Sequence, residues 1–324
     1  MTVHPFEVLR RLGGHATRAQ LAPYVGRRAL EGALLRGEVL RVGRGAYVLP
    51  TLPSPRASAA AARGVLSHAC AAEHWGWKTV CPPAAVDVSV PAGAKPKPAE
   101  GVRFRWRTLP DDDVVDGVTS PLRTVLDCAG TMPFREGLAV ADSALRSGLV
   151  LFDELLAGAA VMRGPFSAGA RRIAPLADES AANPFESVLR AELIDGKVHG
   201  FRTQVEVRTA TSNARVDLGD ERLKVAVEGD SYTYHGTRAA FAADCARYDE
   251  LVRAGWLVLR FAWEHAMFHP GWMVGVVRDV VRDRRPGRRT GPSTTTGKSC
   301  LGAACRSLER SCDECGGGRA SMRR

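Results

Sequence analysis

Nowhere in its 324 residues does the chain hold an apolar run of membrane-spanning length, which takes about 20 residues. Its opening residues, HPFEVLRRLGG, also lack the apolar core of a secretory signal, because charge comes too early. The two absences predict a cytoplasmic protein with reduced thiols and no membrane partner. Cysteine is thin in the body of the chain: Cys70, Cys81, Cys128 and Cys245 stand singly and read as small buried hydrophobes. Cys300, Cys305, Cys312 and Cys315 fall instead in a basic tail of Gly, Ser, Thr and Arg, residues 284–324. Their spacing is one that zinc ligands can use, but the loops between them carry almost nothing apolar, and the composition predicts a disordered tail. Acidic excess is missing from both ends. Residues 1–50 hold eight Arg or Lys against three Asp or Glu, and residues 284–324 hold ten against three. The net charge of +10 therefore sits at the termini, and the segment between them is slightly acidic. Basic ends favour phosphate-rich partners with salt-dependent affinity. With 45% hydrophobic residues the chain has room for two or three domains.

What the chain does contain is a set of acids spaced for cation chemistry. NPFESVLRAEL carries Glu186 on a predicted helix, and NARVDLGD puts Asp217 in a short strand. LKVAVEGDSYTYHG places Glu228 and Asp230 two apart in an apolar strand, with His235 close behind. Positions i and i+2 of a strand share a face, so Glu228 and Asp230 point one way while Val225 and Val227 point the other. Two carboxylates on one side of a buried strand repel each other unless a cation lies between them. Oxygen ligands suit Mg2+ (or Mn2+), which keeps several waters and takes one or two carboxylates plus phosphate oxygens. On this reading Asp217, Glu228 and Asp230 are metal ligands, and Glu186 and His235 join them as candidate catalytic residues. Glu186 equally suits the start of a helix, where a carboxylate meets the dipole. Asp244 and Arg247 form an i,i+3 pair that can be purely structural.

Residues 183–281 resemble the restriction-endonuclease-like PD-(D/E)xK superfamily, most of all its branch related to very-short-patch-repair endonucleases. The landmarks are Glu186 on a helix, Asp217 on a strand, and Glu228-Gly229-Asp230 ending an apolar strand, then His235, Asp244 with Arg247, and a strand from Trp256 to Phe261. The resemblance implies a C-terminal α/β domain with a mixed sheet that hydrolyses phosphodiester bonds, a bound cation lowering the pKa of water and stabilising developing charge. The superfamily's usual E-x-K lysine is Asp230 here, which leaves the general base open. Lys224 shares the strand face of Glu228 but lies about 13 Å away at the usual strand rise. His235 is suited to orienting water, its ordinary pKa lying near neutrality.

The first fifty residues read as a winged helix-turn-helix. One helix runs from Pro5 to Leu12 and stops at Gly13-Gly14. Thr17 and Gln20 form the capping pattern of a short second helix through Leu21. A third covers Arg27 to Arg36, with Leu30, Ala33 and Leu34 as its apolar face, and EVLRVGRGAYVLP reads as a hairpin turning at Gly43 and Gly45. Arg27, Arg28 and Arg36 on the third helix, with Arg41 and Arg44 on the wing, are the candidate contacts to double-stranded DNA, since a basic helix and wing meet groove and phosphates together. Through GGHATRAQL and RGAY the segment resembles the N-terminal domain of AbiEi-type antitoxins of type IV toxin-antitoxin systems. That resemblance implies a transcriptional regulator, with a cognate nucleotidyltransferase toxin as a partner.

A Pro/Ala-rich stretch, TLPSPRASAAAA, reads as a separator before an α+β middle domain, residues 57–175. VLSHACAAEHWGW is predicted helical with Ser67 as cap, DVSVP and GVRFRWRTL are strands, and SPLRTVLDCA is a helix with Ser120 at the cap and Pro121 at its first position. This part resembles later AbiEi-like regions more loosely. His68 and His74 show no acid partner and read as helix packing. The predicted class is α/β multidomain: a winged helix over residues 1–50, the middle domain, an endonuclease-like domain over 181–283, and the tail. Two functions follow. One is a metal-dependent endonuclease in phage defence, repair or mobile-element biology. The other is an AbiEi-type antitoxin regulator on a catalytically inactive nuclease fold. Either suits a homodimer reading a two-fold site.

Overall fold

Thirteen α-helices and twelve strands in three sheets carry the fold among the described residues, which agrees with the mixed α/β class predicted. The computed structural model describes residues 4–12, 14–50, 54–209, 213–230 and 238–285. His235 and the four tail cysteines lie outside them. No helix among the described residues is long and apolar enough to cross a membrane.

Helix α1 (Pro5–Arg11), strand β1 (His15–Thr17) and helices α2 (Arg18–Leu21) and α3 (Arg27–Leu35) precede a hairpin of β2 (Leu40–Gly43) and β3 (Ala46–Val48). Thr17 caps α2: Gln20 N donates to Thr17 Oγ1 at 3.3 Å, and Thr17 N donates to Gln20 Oε1 at 2.8 Å. Strand β1 is an addition to the sequence reading. It pairs antiparallel with β3, so the sheet runs β1-β3-β2, and three residues are too few for an alternation to show. Leu9, Leu21, Val25 and Leu30 fill the core beneath.

The Pro/Ala-rich stretch corrects the sequence reading. It is not a plain spacer: helix α4 (Ser54–Ala61) occupies it and packs against β2 and β3, with Ala59 buried. Alanine is the strongest helix former, and its small side chain permits close packing. Next come β4 (Val65–Leu66), α5 (His68–His74), β5 (Val86–Val90), β6 (Val102–Trp106), β7 (Val114–Val115) and β8 (Val118–Thr119). Their five-stranded sheet runs β6-β5-β4-β8-β7, with β5–β6 and β4–β8 parallel and the other pairs antiparallel. His68 is buried with φ +54° and lies 2.9 Å from Ser67 Oγ. Burial lowers its pKa, while Asp127 and Asp87, both distant in sequence, pull it back up. A second correction concerns the thiols: Cys70 and Cys128 are buried as predicted, but Cys81 and Cys245 are exposed. Cys81 lies outside regular structure and Cys245 on a solvent-facing stretch of helix; neither has an apolar pattern around it.

Helices α6 (Pro121–Thr131), α7 (Phe134–Arg146), α8 (Phe152–Val161) and α9 (Ser167–Ile173) enclose a core around Leu138, Leu155 and Ile173. Helix α10 (Pro184–Asp195) closes it, and then serves a second core. Strands β9 (Arg202–Arg208), β10 (Asn213–Asp220), β11 (Val225–Asp230) and β12 (Leu257–Ala262), with helices α11 (Arg238–Arg253), α12 (Trp263–Phe268) and α13 (Pro270–Arg284), complete the unit. Their sheet runs β12-β11-β10-β9 and is mixed, only β11–β12 being parallel. Val188, Leu189, Val227, Phe261 and Val277 pack on the side of α10 and α13, and Val205, Ala226, Leu251 and Trp256 on that of α11.

Helix α10 is thus a wall shared by two cores. Its Ala191 packs with α6–α9, and Arg190 Nη2 donates to both oxygens of the fully buried Asp142 on α7 at 2.7 Å. Asp178 N adds a third bond to Asp142 at 2.9 Å. Arg190→Met strands the buried carboxylate and should cost about 3–5 kcal/mol, read as a fall in the urea midpoint. Adding Asp142→Leu should restore most of that loss; a double variant as weak as the single would contradict this account of the pair.

Candidate functional site

The N-terminus of α10 is built around Glu186. Asn183 caps the helix, its Oδ1 accepting from Phe185 N at 2.8 Å and Glu186 N at 3.1 Å, and Pro184 takes the first position, where no N–H is needed. The Glu186 carboxylate turns back on this cap. It accepts from Asn183 Nδ2 at 2.7 Å, from Ala182 N at 2.9 Å and from Gln204 Nε2 at 2.7 Å. Glu186 is only 2% exposed. Burial and the charge of Asp217 push its carboxyl up from 4.5 to about 7, against the bonds from Ala182 and Gln204.

Asp217 reaches the same region from β10. The ladder between β9 and β10 is continuous from Asn213↔Arg208 to Val216↔Val205 and resumes at Leu218↔Thr203, leaving Gln204 and Asp217 unpaired in register. At that gap Gln204 has φ +50°, a conformation unusual for a residue with a side chain. The distortion breaks the strand's alternation: Val216 packs in the core on the α11 side and Leu218 in the core on the α10 side. Asp217 Oδ2 accepts from Gly229 N at 2.9 Å. Burial raises its pKa, and the charges of Glu228 and Asp230 raise it further. Gly229 permits the close approach of helix and strand, because a Cβ there would lie 2.8 Å from the Phe185 ring.

Glu228 and Asp230 do share a face, as the alternation predicts, and cations do answer them. Those cations are guanidinium groups. Arg247 on α11 grips Glu228 with two nitrogens at 3.0 and 2.6 Å, and the Tyr248 hydroxyl donates to the same carboxylate. Arg260, the register partner of Glu228 on β12, holds Asp230 at 2.6 Å and Asp244 at 3.0 Å. Arg247 also lies 3.8 Å from Asp244. The two guanidinium carbons lie 4.9 and 4.0 Å from the centroid of the Tyr248 ring. Burial and the bond to Glu228 drive the Tyr248 phenol well above its ordinary range.

The predicted acids therefore divide. The charge of Asp217 acts on Glu186, and neither has a salt-bridged basic side chain among the described residues, whereas Glu228 and Asp230 are each ion-paired. Among the described residues no three His, Cys, Asp or Glu converge to form a metal shell on their own. Mg2+ does not require one: one or two carboxylates with waters and phosphate oxygens suffice, and the Glu186–Asp217 pair fits that donor set. Lys224 is taken up elsewhere, its Nζ donating to Ala254 O at 2.9 Å. Sequence reasoning missed Gln204, Asn183 and Tyr248. Asn183-Pro184-x-Glu186 was a legible cap; nothing local marks Gln204 for a left-handed conformation. A cavity of about 600 Å3 opens beside Gln204, lined also by Arg190, Thr203 and Arg202.

On the N-terminal module, Arg27, Arg28, Arg36, Arg41 and Arg44 are all exposed. Arg27 pairs with Glu31 and Arg36 with Glu38, each at 2.9 Å, surface links of small energy.

No protein-family profile matches the chain. Two uncharacterized proteins, from two strains of Mycobacterium tuberculosis, are each 26% identical to it over 200 residues, covering 60% of this chain and 74% of the relative.

The raised carboxyl of Glu186 has a measurable consequence. The folded protein holds that proton up to about pH 7, while a Glu in the unfolded chain releases it near 4.5. Stability should therefore rise as pH falls through this window, by up to about 3 kcal/mol. Glu186→Gln should stabilise the protein more at pH 8 than at pH 5 in urea titrations; an equal effect at both would sink the assignment.

Proposed function

We propose that the chain is a DNA-binding phosphodiesterase, in which the basic helix and wing engage double-stranded DNA and the C-terminal α/β region hydrolyses a nucleic-acid strand. The observation that carries this reading is a pair of carboxylates, the buried Glu186 and the half-buried Asp217, both raised in pKa and neither ion-paired among the described residues. Withdrawing interacting like charges from water is unfavourable unless a cation or a proton offsets them. Glu186 and Asp217 would hold Mg2+ or Mn2+, which when bound supplies Lewis acidity and lowers the pKa of water.

The residues' own parts follow from their surroundings. Asp217 is the anionic ligand, oriented by Gly229 N. Glu186 would complete the donor set, and Gln204 and Asn183 fix its two oxygens. Arg247, Tyr248 and Arg260 neutralise Glu228 and Asp230 and so keep the end of β11 from repelling a phosphate. His235 remains a candidate outside the described residues.

A second reading has its own support. The clasp of Glu228 by Arg247 and Tyr248 occupies the acid that the superfamily resemblance gives to the metal. That favours an AbiEi-type regulator on an inactive nuclease fold, with a nucleotidyltransferase toxin as partner. A cleavage assay on purified protein separates the two, using single-stranded, duplex and mismatched DNA and RNA with Mg2+ or Mn2+. The enzyme reading expects metal-dependent cutting that Asp217→Asn reduces to background while duplex binding persists. No cutting of any substrate, with duplex binding intact, transfers the conclusion to the regulator.

A further inference from the structure

The five-stranded sheet of the middle region has an apolar and a polar side. Leu66, Val88, Val90 and Val118 belong to an apolar core. Asp87 and Ser89 occupy the alternate positions of β5 and so face away from Val88 and Val90. A cavity of about 460 Å3 opens there, lined by Arg63, Val65, Ser89, Arg107, Thr108 and Asp111 among others. Neither the acid site on β10 and β11 nor the basic helix uses it.

Three features mark this cavity as built for a ligand. Ser89 is 2% exposed, yet its hydroxyl has no hydrogen-bond partner among the described residues. A buried hydroxyl without a partner is costly, and Ser89 is one of the residues that line the cavity. Arg63 is the left-handed C-terminal cap of α4, with φ +53°, Arg63 N donating to Ala60 O at 3.0 Å and Gly64 N to Ala59 O at 2.9 Å. Its guanidinium is already anchored: Nε donates to Arg44 O at 3.1 Å and Nη2 donates to the same oxygen, with Nη1 left for a ligand among the described residues. Arg107 is anchored likewise, Nη1 donating to the buried Asp127 at 2.5 Å. Two held guanidinium groups and a buried hydroxyl supply the donors that a phosphate group takes. Asp111 adds an acceptor to the same lining.

We propose that this cavity binds a phosphorylated small molecule of nucleotide size, its phosphate on Arg63, Arg107 and Ser89 and its amino or hydroxyl donors on Asp111. The volume is in the range of small-ligand sites, larger than a bare phosphate needs. Because Arg63 also holds the wing's turn through Arg44, the ligand would lie near the turn of the DNA-facing hairpin.

Isothermal titration of the full chain tests the proposal, with AMP, GMP, CMP and UMP each compared with inorganic phosphate and adenosine. EDTA and fixed ionic strength keep the acid site out of the measurement. At least one nucleotide should bind at a single site, at least tenfold tighter than phosphate, with adenosine weaker still. Ser89→Ala and Arg63→Gly should each weaken it tenfold or more; glycine accepts the left-handed backbone, so the second variant keeps the fold. No nucleotide binding at millimolar concentration overturns the proposal. So does binding that both variants leave unchanged, or phosphate binding as tightly as every nucleotide.

Discussion

Four carboxylates crowd the end of β11, and their mutual repulsion in a partly buried place is the constraint around which the C-terminal region is arranged. Glu228 and Asp230 are answered within the protein, by Arg247 from α11 and Arg260 from β12. Glu186 and Asp217 are not, and both carboxyls are raised. A buried ion pair offsets its own desolvation only when geometry is good and spare lone pairs are satisfied. The two-nitrogen grip of Arg247 on Glu228, with the Tyr248 hydroxyl added, meets that condition. The other pair has hydrogen bonds but no salt bridge among the described residues, Arg146 and Arg247 acting on it only from a distance, an arrangement in which a divalent cation has most to offer.

Helix α10 converts this local chemistry into architecture. Its first turn presents Glu186 to the sheet, its middle holds Asp142 through Arg190, and its two faces belong to separate cores. Gly229 and Gln204 are the local costs of that placement: one surrenders a side chain so that Phe185 can pack, the other adopts a left-handed backbone so that its amide meets Glu186. Strain at a would-be site, stabilised by the surrounding packing, is the pattern expected where position matters more than local stability.

Much of this was legible in the chain, and the illegible parts share a cause. The capping box of Thr17 and Gln20, the cap of Ser120 and the shared face of Glu228 and Asp230 depend on residues a few positions apart, so periodicity and spacing expose them. That a cation must answer Glu228 was also readable; that it is Arg247, brought across from another element, was not. The same holds for Asp127 beside His68, and for Gln204, whose conformation follows from the strand it faces. The Pro/Ala-rich segment misled because small residues resemble a spacer until a partner surface is known, and Cys81 and Cys245 because a thiol's burial is decided by neighbours.

The central claim, that Glu186 and Asp217 form the cation site while Glu228 is held by arginine, is tested most directly by Mn2+ binding followed by electron paramagnetic resonance. The wild-type protein should bind one Mn2+. Asp217→Asn should abolish that binding, and Glu228→Gln, if it stays folded, should retain it. Undiminished binding in Asp217→Asn, or no specific Mn2+ signal from the wild type, would contradict the account.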